Sequence, residues 1–250
     1  MPQMEPTTPV STSRLQNGIF SMYEQLKFDS ARNSLRYLIQ RFGIKKLYTP
    51  YYLCDVVRHA IVAEKCKPVF YHIDDNFYPT QDFPKNDYIL YPNYFGVCDN
   101  NVVKLENIYP KLIVDNAHAF YLPPQGFACF NSEKKFRNVE SGSDLWIKND
   151  KRKGDFAIKW QNRPNSSIQT RIERFIRIKE EFEKTNLLKI NMNSVKSPFC
   201  YPYLASTEKE ADELAEKLTK NGLVIYRYWN YLPKSYNEYK FYRRLVPIPV

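Results

Sequence analysis

Short apolar runs that alternate with helical segments constrain the fold of this chain more than any other feature. The segment YYLCDVVRHAIVAEKCK, which reads as a helix, separates the apolar runs KLYTP and PVFYHID, and polar connections separate the later runs DYILYPNYFG and KLIVDNAHAF. Strands that alternate with helices are typical of a mostly parallel sheet covered by helices. The pattern therefore predicts an α/β fold, in which ACFNSEKKF and DLWIK form the last pair of strands, with the lysines between them.

Local end signals predict where two helices begin. Ser30 is a favoured N-cap residue, and Gly43 suits the left-handed conformation that closes many helices. The segment between them has apolar residues at helical spacing. Thr207 and Glu210 form a capping-box pattern before a second amphipathic helix. The first helix start bears on function, because the free N–H groups of a helix N-terminus bind anions.

Changes in composition divide the chain into three parts. Residues 1–18 are polar and rich in Pro and Thr, which predicts a flexible N-terminal segment. Residues 19–150 hold the alternating pattern and form the predicted large domain. A charged, polar stretch around residues 148–167 predicts a linker. The remainder, 151–250, is expected to contain a long helix from about residue 170 to 185, then a small α/β unit with strands FCYPYLA, LVIYRYW and LVPIPV.

The composition narrows the classes of function. Seven glycines argue against a Gly-rich phosphate loop, and five widely spaced cysteines without a CxxC pair predict free thiols and no metal site. The absence of a signal pattern or of an apolar run near 20 residues predicts a soluble, cytoplasmic protein. A formal charge of +10 attracts anions, although the basic residues are too scattered to favour nucleic-acid binding.

Three polar residues follow predicted strands, where ligands of α/β sheets gather. Asp115 ends an apolar strand, a position that suits an ion pair with a protonated ring nitrogen of a cofactor or, alternatively, a turn cap. His118 could bind a ligand or simply pack in its apolar surroundings. Lys134 or Lys135 could form a Schiff base if desolvated, or remain a solvated pair.

Five segments in sequence order carry a resemblance to a known family. SARNSLRYLI, LYTPYYLCDVV, YILYPNYFGVCD, IVDNAHAF and NSEKKF occur at nearly the relative positions seen in the DegT/DnrJ/StrS-type nucleotide-sugar aminotransferases, which depend on pyridoxal 5'-phosphate. The likeness covers roughly residues 30 to 145, and CYPYL and YRYWN to LVPIPV more loosely. It implies the aspartate-aminotransferase fold, with a three-layer α/β/α large domain and a small C-terminal α/β domain.

The resemblance also implies roles for individual residues. Asp115 would hold the protonated pyridine nitrogen, and His118 would lie near the ring hydroxyl. Lys135, which matches the family's lysine better than its neighbour does, would form the Schiff base and then transfer protons. The backbone N–H groups of Arg32 and Asn33 would receive the cofactor phosphate, and Arg32 could add a direct charge.

Three further residues are implied as cofactor contacts. Ser132 belongs to the serine-x-x-lysine segment of the family. Tyr52 would form an aromatic wall of the pocket and Asn93 a polar contact, with packing and turn roles as the respective alternatives.

The resemblance implies a homodimeric aminotransferase that moves an amino group, with glutamate as the expected donor, to a nucleotide-linked keto-sugar in surface polysaccharide biosynthesis. Two alternatives remain. The chain is shorter than typical relatives and has Asn138 and Ser143 where small residues or glycine are expected, which favours a non-catalytic relative that acts as a binding or regulatory protein. The charge alone would also allow a basic domain associated with nucleic acid.

Overall fold

The computed structural model describes residues 23–148 and 166–250, and a seven-stranded sheet forms its centre. The strands are β1 (Tyr23–Phe28), β2 (Lys46–Pro50), β3 (Lys67–Tyr71), β4 (Tyr88–Pro92), β5 (Leu112–Asn116), β6 (Ala128–Asn131) and β7 (Ser143–Lys148). They lie in the order β1-β7-β6-β5-β4-β2-β3. β7 runs antiparallel to both of its neighbours, and the other pairings are parallel. The mostly parallel sheet predicted from the alternating pattern is thus confirmed.

Helices cover both faces of this sheet. The α-helices of the described residues are α1 (Ala31–Arg41), α2 (Asp55–Ala63), α3 (Asp99–Ile108), α4 (Ser166–Phe182), α5 (Glu208–Lys220) and α6 (Tyr239–Arg244), of which the last two pack beside a smaller sheet. α1 and α2 pack on one face, whereas α3 and α4 contribute buried side chains to the hydrophobic cluster on the other. Side chains alternate between the faces along each strand. The result is the three-layer α/β/α arrangement that the resemblance implies.

A smaller unit follows α4. β8 (Cys200–Leu204) and β9 (Leu245–Pro249) pair antiparallel, and α5 and α6 pack beside them. The predicted N-cap of α5 is present, because the Thr207 hydroxyl accepts a hydrogen bond from the Glu210 N–H at 3.1 Å. The Glu210 carboxylate bonds the N–H of Ser206, however, and not that of Thr207.

Several predicted boundaries differ from the structure. The helix expected from Tyr51 to Lys67 is only α2, because the Tyr51 N–H bonds the carbonyl of Tyr71 and continues the sheet. Lys65 then has a left-handed φ of 53°, which ends the helix. α4 begins at residue 166 and ends at 182, earlier than expected. β1 was not predicted, because only Tyr23, Leu26 and Phe28 of its six residues are buried.

The strand expected over LVIYRYW is wrong. Residues 223–229 form no strand, and Val224 and Tyr226 are 62% and 66% exposed. The alternation of apolar residues was present, but the small sheet contains two strands only among the described residues, so the segment has no ladder partner.

The flexible segment predicted at 1–18 and most of the predicted linker lie outside the described residues. The domain boundary at residue 150 therefore stays a prediction.

Candidate functional site

The ends of β5 and β6 bring the main candidate residues to one edge of the sheet. We call this the carboxyl edge, where β2 to β6 end at residues 50, 71, 92, 116 and 131. Asp115 lies beside Phe130 of β6 in the parallel register. A three-residue 3₁₀ turn, Glu133–Lys135, follows β6 directly. Asp115 and Lys135 are therefore placed by neighbouring strands, as expected for ligand sites of α/β sheets.

Asp115 is a buried carboxylate. Its Oδ1 accepts a hydrogen bond from the Ala117 N–H at 2.9 Å, which holds the tight turn after β5. Burial raises the pKa of this carboxyl, and the nearby charge of Lys135 and the Ala117 N–H act in the opposite direction. The turn-cap role considered from the sequence is therefore observed, and the ion-pair role stays a prediction, for which the carboxylate has further acceptor positions.

Lys135 and Lys134 have different surroundings. Lys134 is exposed, whereas Lys135 is partly buried and its Nζ lies 5.8 Å from the centre of the Phe199 ring. Desolvation lowers the pKa of Lys135, and Asp115 and Cys54 partly oppose that effect. A lysine with a lowered pKa has a larger neutral fraction at pH 7, and the neutral amine is the nucleophile. Lys135 is thus the lysine whose charge influences the pKa of Asp115.

His118 lies buried among aromatic rings. The ring of Phe199 stacks on it with centroids 4.5 Å apart and an interplanar angle of 9°, and the ring of Trp229 lies parallel at 6.0 Å. The Phe95 N–H donates to Nδ1 at 3.4 Å. Desolvation lowers the pKa of His118 well below its ordinary value, and the charge of Lys135 acts in the same direction. His118 is therefore a neutral imidazole at pH 7.

Asn93 serves the turn after β4. Its Oδ1 accepts from the Cys98 N–H at 2.9 Å, and its Nδ2 donates to Asp99 at 2.9 Å and, more weakly, to Asn116 at 3.4 Å. Both ends of the amide are engaged within the protein. Asn116 follows Asp115, so Asn93 links the β4 turn to the candidate site.

Tyr52 is fully buried and its ring lies between others. It stacks with Tyr94 at 5.8 Å and meets the edge of Trp229 at 4.5 Å. Its hydroxyl is buried and has no hydrogen-bond partner among the residues that the structure describes. Tyr52 and His118 are thus both in contact with Trp229, and Tyr52 belongs to the aromatic surroundings of the site.

The first turn of α1 reaches the same connection as Lys135. Ser30 accepts from the Asn33 N–H at 3.3 Å, which is the predicted cap. The carboxylate of Asp29 accepts from Asn33 Nδ2 at 2.7 Å, and Arg32 is exposed. The Gly142 N–H donates to the Asp29 carbonyl at 2.7 Å, in the connection between β6 and β7. That connection also contains the buried Ser132 and the 3₁₀ turn with Lys135.

The sequence reasoning missed four contributors to the site. Phe199 and Trp229 come from the second half of the chain, and no local pattern connects them to His118. Cys54, at the start of α2, lies close enough to influence the pKa of Lys135. Gly96 could have been found from the scarcity of glycine, because it lies directly after the YPNYF segment. Over residues 23–148 and 166–250, no group of His, Cys, Asp and Glu is arranged to hold a metal ion.

No protein-family model matches the sequence, and a search of the curated proteins finds no match. Solved structures do match. An aminotransferase of the DegT DnrJ EryC1 StrS type from Brucella abortus is 12% identical, with a TM-score of 0.67 over 91% of this chain and 80% of that one. Helicobacter pylori PseC, an aminotransferase involved in the biosynthesis of pseudoaminic acid, is 15% identical, with a TM-score of 0.64 over 90% and 81%.

A third solved structure, DesV of S. venezuelae, holds a ketimine intermediate. It is 13% identical, with a TM-score of 0.64 over 90% of this chain and 79% of that one. At these identities the similarity shows the fold. The chain therefore has the aspartate-aminotransferase-like fold that the resemblance implied. None of the helices in the described ranges is long and apolar enough to cross a bilayer.

Proposed function

We propose that this chain is a pyridoxal-phosphate-dependent aminotransferase of the DegT/DnrJ/StrS type. The observation that carries the proposal is the meeting of Asp115 and Lys135 at the carboxyl edge. Each is buried enough for desolvation to shift its pKa toward the neutral form, and each partly offsets the shift of the other. Perturbed, mutually interacting titratable groups of this kind cluster at catalytic sites.

The chemistry of these residues fits the cofactor. A buried carboxylate is stabilised by a cationic partner, and the protonated nitrogen of a pyridine ring supplies one. Pyridoxal phosphate, when bound, supplies a conjugated ring that accepts the electron pair released at the substrate carbon. Asp115 would hold the ring nitrogen in its protonated form. Lys135 would hold the cofactor covalently, and its free amine would move a proton at the substrate carbon.

The other candidate residues have binding and orienting roles in this proposal. His118 would donate a hydrogen bond to the ring hydroxyl. The N-terminus of α1, with Arg32, Asn33 and Ser132, would hold the phosphate, because the helix dipole favours an anion there. The Asn33 N–H is already bonded to Ser30, so it must be shared with the phosphate or released to it.

Tyr52 and Asn93 act less directly. Tyr52 helps to exclude water through its contact with Trp229, and its unpartnered buried hydroxyl is one group a ligand could satisfy. Asn93 holds the β4 turn against Asn116. We assign Asn93 a positioning role because both ends of its amide are bonded within the protein.

The proposed substrates are an amino donor, glutamate, and a keto-sugar linked to a nucleotide, in surface polysaccharide biosynthesis. A cleft of about 800 Å³ lies beside the turns that follow β3 and β4 and supports a polar substrate, and its lining does not include Asp115, His118 or Lys135. It is lined by Asn76, Asn101 and Asn191, whose amides suit hydroxyl groups, and by Lys104 and Lys189, which suit a diphosphate. The formal charge of +10 would also attract an anion. We further propose a homodimer in the cytoplasm.

The deciding experiment is the visible absorption spectrum of the purified protein with added pyridoxal phosphate, followed by borohydride reduction and peptide mapping. We expect a yellow species that reduction fixes at Lys135. A Lys135→Ala variant should lose the covalent adduct, whereas the matched Lys134→Ala variant should behave as wild type because Lys134 is exposed. Absence of an adduct in the wild-type protein contradicts the proposal.

A second candidate function is that of a non-catalytic relative that binds a partner. The stacking of Phe199 on His118 favours it, because one face of the imidazole is covered and the Lys135 amine already has an aromatic neighbour. This candidate predicts no covalent adduct at either lysine in the same experiment.

A further inference from the structure

A left-handed turn lies against His118. Phe95 and Gly96, which follow β4, have φ values of 55° and 72°. For phenylalanine this conformation is strained, and such strain persists only where the surroundings impose it. A Cβ on Gly96 would lie 2.2 Å from the Ser197 carbonyl oxygen and 2.4 Å from the His118 carbonyl oxygen. Three chain segments therefore meet at Gly96, and only glycine fits there.

The turn aims one backbone donor at the histidine ring. The Phe95 N–H points to His118 Nδ1, while the Phe95 carbonyl accepts from the Phe199 N–H at 2.9 Å. The same Phe199 stacks on the imidazole. The turn thus fixes both the ring that covers His118 and the hydrogen bond that its Nδ1 receives.

A neutral imidazole has one N–H donor and one acceptor nitrogen, and the bond made by one nitrogen sets the state of the other. We propose that the Phe95–Gly96 turn is a positioning element that locks His118 in the tautomer with its proton on Nε2. His118 then presents a donor, not an acceptor, to any ligand at its free edge. This inference rests on the proposed function only in assigning that edge to the cofactor hydroxyl.

The opposite tautomer would leave two buried donors opposed to each other, because a protonated Nδ1 would face the Phe95 N–H. Its Nε2 could accept a hydrogen bond from a ligand but could not donate one. The turn therefore determines which nitrogen of His118 is protonated. It does so through a backbone N–H, and none of its side-chain atoms needs to touch the reacting groups.

The first test is NMR spectroscopy of cofactor-free protein labelled with ¹⁵N-histidine. The chain has three histidines, so assignment needs only His59→Gln and His72→Gln variants. We expect one set of signals, for His118, with an unprotonated, hydrogen-bonded Nδ1 and a protonated Nε2. A protonated Nδ1, or a population of both tautomers, overturns the inference whether or not pyridoxal phosphate binds.

The second test follows the Phe95 amide itself. Tyr–Phe occurs once in the sequence, at residues 94 and 95, so ¹³C-carbonyl tyrosine with ¹⁵N-phenylalanine gives a single cross-peak. His118→Asn keeps an acceptor at the δ position, whereas His118→Gln does not. We expect hydrogen exchange of Phe95 to be near wild type in the first variant and about tenfold faster in the second. Equal exchange rates in the two variants overturn the inference.

The third test changes the turn. Gly96→Ala should abolish the single tautomer by displacing the turn from His118. Gly43→Ala is the matched control, because Gly43 has a similar φ of 57° with no atom within 4 Å of an added Cβ. It bears the same backbone strain without the clash, and we expect it to keep the His118 signals. Loss of the single tautomer in Gly43→Ala would contradict a local effect of the turn.

These outcomes separate the inference from the proposed function. The tautomer is measured without cofactor, so it stands or falls independently of covalent binding at Lys135. With cofactor added, His118→Asn should shift the absorption band of the bound chromophore, whereas His118→Gln, which retains a donor at the ε position, should restore it. An unshifted band in His118→Asn overturns the assigned use of Nε2.

Discussion

The two faces of the central sheet are packed with different chemistry. The face beneath α1 and α2 is mostly aliphatic, and its buried side chains include Leu26, Leu35, Leu38, Ile39, Leu47, Ile61, Leu90 and Ile113. The opposite face is rich in aromatic residues, among them Tyr52, Tyr71, Phe77, Tyr91, Tyr94, Phe95, Tyr201 and Phe241. His118 and Tyr52 of the candidate site lie among these aromatic residues, whereas Asp115 shares its side of β5 with Ile113 of the aliphatic cluster.

The two faces differ because the aromatic face contains buried tyrosine hydroxyls, which need hydrogen-bond partners. The hydroxyl of Tyr91 donates to the Phe77 carbonyl at 2.8 Å, and that of Tyr94 donates to the Tyr52 carbonyl at 2.9 Å. Buried polar groups without such partners are costly, so each tyrosine specifies one position of a loop. The aliphatic face supplies mainly hydrophobic stabilisation, with one buried hydrogen bond between Ser34 and Ser143. The aromatic face supplies it too and also fixes the loops at the carboxyl edge.

The largest effect should come from the aliphatic face. Leu38→Ala removes a fully buried side chain of α1 and leaves a cavity, which should lower the free energy of unfolding by about 3 kcal/mol. Urea denaturation measures this loss. Val62→Ala, at a position 59% exposed on α2, is the control and should change stability by less than about 0.5 kcal/mol. Similar losses in both variants would refute a tightly packed core beneath α1.

A smaller effect should come from one hydroxyl on the aromatic face. Tyr91→Phe keeps the ring but leaves the Phe77 carbonyl without its donor and Asn101 Nδ2 without one of its acceptors. We expect a loss of about 2 kcal/mol in the free energy of unfolding. Tyr226→Phe is the matched control because Tyr226 is exposed, and it should be near neutral. If both changes are neutral, the hydroxyls do not distinguish the two faces.

The smallest effect should appear in the pH dependence of stability. Desolvation lowers the folded-state pKa of His118. Below about pH 6.5, His118 is therefore protonated in the unfolded chain but still neutral in the folded protein. Stability is therefore full above that pH and falls as the solution becomes more acidic. The contribution of this residue has a slope of at most about 1.4 kcal/mol per pH unit.

His118→Asn should remove that contribution, which urea titrations between about pH 5 and 6.5 would measure. The asparagine cannot be protonated but still offers an acceptor to the Phe95 N–H. His59→Asn, at an exposed position of α2, should leave the slope unchanged. An unchanged slope in His118→Asn would mean that the imidazole is protonated in the folded protein.

Local signals explain what the sequence predicted of the fold. α1 was predicted because its N-cap, its apolar stripe and Gly43 all lie within one short stretch. β2 to β7 were found because they are compact apolar runs. β1 and residues 223–229 were misjudged because alternation of apolar residues reports burial, whereas a strand requires a partner that lies far away in the sequence.

Local signals also explain which residues of the candidate site were predicted. Asp115, His118 and the Lys134–Lys135 pair were named because they lie at or after strand ends, which a parallel sheet brings together, and the family resemblance selected Lys135. Their assigned roles stay predictions. Phe199 and Trp229 could not be found, because their contact with His118 depends on how the second half of the chain packs against the first. The bond from Phe95 to Nδ1 depends on one backbone angle, which no pattern of residue types specifies.

The position of β7 affects the order in which the molecule can form. β1 opens the sheet in sequence, yet its partner is β7, and the hydrogen bond between Gln25 and Asp144 spans 119 residues. Contacts between residues so far apart in sequence require a loss of loop-closure entropy before any contact energy is gained, and this slows folding. During synthesis, β1 stays unpaired until β7 has emerged from the ribosome. The completion of this sheet is therefore a late event, and a chaperone that shields β1 would act on it before that moment.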